Sequence, residues 1–185
     1  RRVEEQIEVL RLLWTRDLVT YQGQFHQLTD VGLNPVPVQR PIPLWIGAFE
    51  PPAIRRAARL ADGWLINPRV APGNAATDAV EGFRAAAREA RRPVEQLGIE
   101  ATIQVAGKTA AQCVEEAKAW QTLGISHLTI RTMQAGLANP AAHIKLFGEI
   151  RAALARIYAP LTSRAADCPA MRPSTVAVSR PLPER

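Results

Sequence analysis

Residues 43–64 read PLWIGAFEPPAIRRAARLADGW, and they hold the strongest hint of chemistry in the chain. Gly47, Ala48, Phe49 and Glu50 lie between a short apolar run and two consecutive prolines, Pro51 and Pro52. Proline suits the first turn of a helix, where N–H groups have no intrahelical partner. The main-chain N–H groups of Ala48, Phe49, Glu50 and Ala53 would then stand at the positive end of a helix dipole, which is the chemistry of an anion site. Gly47 either lets a ligand come close to the backbone or lets the chain turn with positive φ, and Ala48 keeps the turn narrow. Plain tight packing of a strand–helix turn would use the same residues, so the spacing alone leaves both readings open.

Two further side chains end apolar runs in the same way. Asn67 follows GWLI, and Arg131 follows SHLTI with a planar guanidinium suited to phosphate or carboxylate. Asp62, Gly63 and Trp64 read as scaffold, with Asp62 turning the loop and Trp64 packing inside a barrel. His26, His127 and His143 have no partners at ligand spacing, so no metal site is expected. Cys113 reads as a small apolar helix residue and Cys168 as a tail thiol, which fits a cytoplasmic setting. There is no Ser–His–Asp arrangement and no phosphate-binding P-loop motif, and no residue stands out as a catalytic acid or base.

The elements that would position these residues follow from periodicity. Val3, Ile7, Leu10 and Trp14 recur on one helix face. LVTYQGQFHQL (18–28) reads as a short hairpin split by Gly23, and NPVPVQRPIP (34–43) packs four prolines into an extended lead-in. A rhythm of strand and helix then runs through strands 43–47, 63–67, 99–107 and 126–131, with helices 51–61, 76–91, 109–122 (capped by Thr109) and 140–157. Four consecutive βα units imply a parallel sheet, either half of a (β/α)8 barrel or a small doubly wound sheet. The helix that begins at full stride at Arg1 favours the half-barrel and suggests a piece of something longer. The 27 residues from about Ala159 lose periodicity and read as a disordered tail. The division expected is 1–33 for the helix and hairpin insertion, 34–158 for the half-barrel and 159–185 for the tail.

Composition narrows the class. Of the 185 residues 47% are hydrophobic and 22% charged, and no run is apolar enough to span a membrane. The net charge of +6 is mostly arginine spread over several helices without interleaved aromatics, which reads as a solvated surface rather than a nucleic-acid site.

Taken in order, RRVEEQIEVLRLLW, VTYQGQFHQL, NPVPVQRPIPLWIG and AIRRAARLADGWL resemble the C-terminal half of the luciferase-like monooxygenase family of flavin and deazaflavin (β/α)8 enzymes, over roughly residues 1–156. The resemblance implies barrel strands five to eight, an oxidoreductase acting on a small molecule, and a cofactor at the C-terminal mouth held by Gly47, Ala48, Phe49, Glu50, Asn67 and Arg131. Flavin members usually show Gly-Gly and a nearby Ser where this chain has Gly47-Ala48-Phe49-Glu50. The Gly-Ala turn followed by proline resembles the deazaflavin branch, so coenzyme F420 is the expected cofactor and FMN the alternative. A missing N-terminal half-barrel, or self-association, is the expected partner. A noncatalytic phosphate-binding half-barrel is the rival reading.

Overall fold

The computed structural model describes residues 1–158, so the expected tail and Cys168 lie outside the described residues. Helix α1 (Arg2–Thr15) leads into a hairpin of β1 (Val19–Gln22) and β2 (Gln27–Val31). Then come β3 (Trp45–Gly47), α2 (Pro51–Leu60), β4 (Gly63–Leu65), α3 (Asn74–Glu89), a short 3-10 turn Val94–Gln96, β5 (Gly98–Gln104), α4 (Ala110–Thr122), β6 (His127–Arg131) and α5 (Pro140–Tyr158). The four later strands form one parallel sheet in the order β3-β4-β5-β6. The four expected βα units are therefore present. They form an open sheet, and the described residues close no barrel.

One face of the sheet makes the core. Burial along β5 alternates strictly, with Ile99, Ala101 and Ile103 buried and Gly98, Glu100, Thr102 and Gln104 half-exposed. The buried face packs with Ile54, Ala57 and Ala58 of α2, Val80 and Phe83 of α3, Ala117 and Trp120 of α4, and Ile150 of α5. A doubly wound sheet would bury both faces, whereas here one is covered and the other left open. Cys113 lies in this core, and burial pushes its thiol up from its ordinary range. Thr109 caps α4 as expected: its hydroxyl accepts the Gln112 N–H at 3.3 Å, and the Gln112 side chain accepts the Thr109 N–H at 2.8 Å.

Trp64 is not inside a barrel, as the sequence suggested. It lies on the helix-covered face, stacked on Phe83 with ring centroids 5.2 Å apart. The pleat sends neighbouring residues to opposite faces, so the tryptophan on the open face is Trp45. Its ring lies across Gly63 and Gly98, where any Cβ would come within 2.3 and 2.1 Å of it, and meets His127 edge-on at 4.9 Å. Two glycines and one large ring thus fill the floor of the open face.

Helix α1 departs from its expected face. Ile7 is buried, but Val3 and Leu10 are exposed. The reason is that its charged side makes the tertiary contacts. Glu4 pairs with Arg59 at 2.7 Å, Arg11 reaches the Leu60 carbonyl at 2.7 Å, and Glu8 accepts the Tyr21 hydroxyl at 3.0 Å. Glu5 sits within the hairpin turn, accepting the N–H groups of Gln24 (2.8 Å), Phe25 (2.9 Å) and His26 (3.2 Å), with the His26 ring nitrogen at 3.3 Å.

Desolvation pushes the Glu5 carboxyl up, but the N–H donors and the His26 ring outweigh it and hold the group below its ordinary 4.5. A depressed carboxylate stabilises the fold fully above its unfolded value and loses that contribution as pH falls through the folded one. Glu5→Gln is therefore expected to lower stability at pH 7. The gap between the two proteins should narrow as pH falls below 4.5 and the wild-type carboxyl protonates. Urea melts from pH 7 to pH 3 read this, and a gap that stays constant with pH would assign Glu5 a purely steric role.

Candidate functional site

The β3–α2 turn is held from the next strand at both ends. The Asp62 carboxylate accepts the Leu44 N–H at 2.8 Å, where the chain enters β3. The Trp64 indole N–H donates to the Ala48 carbonyl at 3.0 Å, where the chain leaves it. Asp62 also faces Arg11 at 3.3 Å and Arg92 at 3.9 Å. Arg92 donates to the Ala58 and Ala61 carbonyls, so both arginines also cap the C-terminal end of α2. Desolvation lowers the Arg92 pKa, with Asp62 opposing and Arg11 reinforcing the shift.

Within this frame the turn has a defined geometry. Glu50 is the N-cap of α2, and Pro51 and Pro52 occupy its first positions as expected. Ala53 was expected to offer a free N–H but does not, because it bonds the Glu50 carbonyl at 2.9 Å and so starts the helix. The Ala48 N–H was also expected to be free but faces the Leu65 carbonyl across the Gly47–Leu65 pair of the sheet, whereas the N–H groups of Phe49 and Glu50 have no acceptor among the described residues. Gly47 does not adopt positive φ, which removes one of the two reasons for a glycine there. A Cβ at Gly47 would meet nothing within 4 Å, so packing does not demand glycine either. What remains is space beside two unused donors. Ala48 is buried, whereas Glu50 is exposed and the Phe49 ring is 63% exposed.

Not all the other candidates gather at this turn. Gly47 pairs with Leu65, Leu65 with Glu100, and Glu100 with His127, which makes one row across the sheet. With about 4.8 Å between strands and about 3.3 Å per residue, Asn67 falls roughly 8 Å from Gly47. Its side chain already accepts the Arg69 N–H at 3.0 Å and shapes the loop. Arg131 lies three strands over and four residues beyond His127, about 20 Å from Gly47 on a flat sheet. The structure thus groups Asn67 with the turn and leaves Arg131 at the far rim.

Sequence reasoning missed two features. The open face is polar along its length: Glu100, Thr102 and Gln104 on β5 lie beside His127, Thr129 and Arg131 on β6, and the Thr129 hydroxyl donates to Glu100 at 2.6 Å. The alternation of IEATIQ carried that signal. The second feature is His143, read as an ordinary helix residue. Its ring nitrogen lies 2.8 Å from the Thr132 hydroxyl, which places it at the rim next to Arg131. Among the described residues no three His, Cys, Asp or Glu side chains converge as a metal would require, and no helix is long and apolar enough to cross a membrane.

A family profile described as luciferase-like monooxygenase matches residues 1–165. The chain belongs to the luciferase-like monooxygenase family. Among its relatives, an F420-dependent glucose-6-phosphate dehydrogenase of Nakamurella multipartita is 25% identical over 150 residues, 80% of this chain and 43% of the relative. An FMNH2-dependent dimethylsulfone monooxygenase of Pseudomonas putida is 32% identical over 117 residues, 63% of this chain and 30% of the relative. An F420-dependent secondary alcohol dehydrogenase, solved with an F420-acetone adduct, superimposes with a TM-score of 0.66 at 17% identity, covering 82% of this chain and 60% of that one. That likeness shows the fold. The chain thus spans less than half the length of the curated relatives named here. These relatives are named for both cofactor types.

The two-ended hold on β3 makes a stability prediction. Trp64→Phe keeps an aromatic ring against Phe83 but leaves the buried Ala48 carbonyl without its donor, for about 1–2 kcal/mol. Asp62→Ala strands the Leu44 N–H and two guanidiniums and is expected to cost about 2–4 kcal/mol. Asp62→Asn should fall between wild type and Asp62→Ala, because it keeps an acceptor but not the charge. Denaturant melts rank the three, and an Asp62→Ala protein as stable as wild type would contradict this account.

Proposed function

We propose that the chain is the cofactor-mouth half of an F420-dependent oxidoreductase that acts on a small organic molecule. The carrying observation is the β3–α2 turn: two successive N–H groups, of Phe49 and Glu50, without acceptors among the described residues, at the N-terminal end of α2, beside a glycine whose Cβ position is empty. In this reading the N–H groups of Phe49 and Glu50 receive phosphate oxygens, Ala48 keeps the turn narrow, and Gly47 gives the ligand its closest approach. Asn67 lines the adjacent wall of the same mouth. Arg131 serves the opposite rim, facing a different part of the ligand or the substrate. The turn acts through main chain held by Asp62 and Trp64, so it is preorganised before any ligand arrives.

F420 is favoured over FMN on two grounds. The turn reads Gly-Ala-Phe-Glu and lacks the hydroxyl usual in flavin members. The relative named for F420 also aligns with 80% of this chain, against 63% for the one named for FMNH2. When bound, the coenzyme supplies the hydride chemistry, and the protein contributes binding, orientation and a shielded site. The polar row Glu100, Thr102, Gln104 and Thr129 continues down the open face below the mouth and gives a polar substrate groups to hydrogen-bond.

Glu50 places a carboxylate beside the phosphate position and works against it, which fixes the sign of a test. Gly47→Val should weaken F420 binding by at least tenfold, about 1.4 kcal/mol. Its melting temperature should be unchanged, because the added atoms enter empty space. Glu50→Gln should tighten binding by about 0.5–1 kcal/mol, as for other charges at helix ends. The titrations use fluorescence, with F420 and separately FMN, on the chain joined to the N-terminal half of a family member. If neither substitution moves either affinity, the phosphate is not at this turn. If FMN binds more tightly than F420, the cofactor assignment is reversed.

A further inference from the structure

We infer that the groove between α2 and α3 is a second anion site, in which Arg56 receives a small phosphate-bearing ligand. The groove has a volume of about 370 Å³. Arg55, Arg56 and Arg59 line it from α2 and Glu4 closes it from α1. Helix α3 contributes Glu89 and the small side chains of Ala86 and Ala90, so nothing bulky fills the space. The three arginines are spaced one and three apart, with Arg55 and Arg59 one turn from each other on the same helix face.

Most arginines of these helices have partners. Arg59 meets Glu4 at 2.7 Å, Arg84 meets Glu81 at 3.0 Å, and Arg92 donates to the Ala58 carbonyl at 3.0 Å. Arg56 differs. Its side chain is half-buried, and its Nε is shut off from solvent with no acceptor among the described residues. The exposed Arg55 side chain likewise meets no carboxylate or carbonyl among them. A guanidinium N–H withdrawn from water without an acceptor is costly, so the groove favours whatever supplies one. Glu89 lines the same groove and makes no ion pair with Arg56 among the described residues, so the chain's own carboxylate does not serve.

The Nε–H and the neighbouring Nη–H of a guanidinium form a planar fork that matches two oxygens of one anion. Arg55 and Arg56 bring two uncompensated positive charges against one from Glu89, since Glu4 is already taken by Arg59. That balance suits phosphate, with a charge near two, better than a single carboxylate. The walls are α1, α2 and α3 of this chain, on the helix-covered side of the sheet, so the groove is formed whatever lies beside β3 and β6. Arg56 is six residues beyond Glu50, about 9 Å along α2, which separates this site from the β3–α2 turn. The inference therefore does not rest on the cofactor reading.

Titration of the 185-residue chain with inorganic phosphate, followed by ¹H–¹⁵N NMR, tests it. The Arg56 Nε–H signal and the amides of Arg55 and Glu89 should move together along one saturable curve. Arg56→Gln should weaken the response of those two amides at least tenfold. Arg56→Lys should do the same, because it keeps the charge and loses the fork. Glu89 is exposed, so Glu89→Gln should fold normally, and it should tighten binding by removing an opposing charge. Gly47→Val should leave this response unchanged, which distinguishes it from phosphate held at the β3–α2 turn. Sodium chloride at matched ionic strength should not move the signals, and acetate should bind more weakly than phosphate. Signals that stay still, that chloride moves equally, that acetate saturates first, or that respond unchanged in Arg56→Gln would each overturn the inference.

Discussion

The fold and its candidate site both depend on how residues 62–64 hold β3. The strand has three residues, too few for its ladder to secure it, and it lies at the edge of the sheet. Asp62 binds the N–H at its start and Trp64 the carbonyl at its end. A carboxylate and an indole fixed on one strand thus set the position of the next. The Trp64 bond lies in the core, where an unmet carbonyl is costly, so the geometry of the β3–α2 turn is tied to the stability of the sheet. Arg11 and Arg92 complete the arrangement by facing Asp62 while capping the end of α2. Strand, turn and helix are therefore placed by one connected set of polar groups at the foot of the core.

The two faces of the sheet differ in chemistry. The covered face is apolar and closed by four helices, and it accounts for stability. The open face is polar, has a tryptophan floor over two glycines, and is crossed by a Thr129–Glu100 hydrogen bond. A sheet exposed only to water has no use for a large ring wedged over paired glycines. An interior that must be filled at one end and kept polar at the other does.

Much of this was legible in the sequence, for identifiable reasons. The βα rhythm was readable because the helices are amphipathic and the strands are short, apolar or alternating runs bounded by turn residues. Pro51 and Pro52 announced the start of α2, and Thr109 with Gln112 announced α4. The role of α1 was not legible. Its apolar spacing pointed to Val3 and Leu10 as core, while the contacts that hold it belong to Glu4, Glu5, Glu8 and Arg11, whose partners lie up to 55 residues away. Trp64 was assigned to a barrel interior, but its pairing with Ile46 and Ile99 puts it on the covered face, and only strand register shows that Trp45, paired with Gly63, is the tryptophan on the open one. Gly47 was recognised with two reasons open, ligand approach and positive φ; the second is absent, and the open space at its Cβ that agrees with the first appears only in three dimensions. Separation along β6 likewise sets Arg131 apart from the turn it was grouped with.

Hydrogen exchange at two sites, followed by NMR, tests the hold on β3 most directly. The Trp64 indole N–H and the Leu44 amide are both committed to partners across the strand. Both should exchange as slowly as the amides of Ala101 and Ile103 in β5, while the Phe49 amide, with no acceptor among the described residues, exchanges at the rate of an open loop. If the Trp64 indole and Leu44 exchange as fast as Phe49 while β5 stays protected, then residues 62–64 do not hold the turn, and the account of the site built on them is wrong.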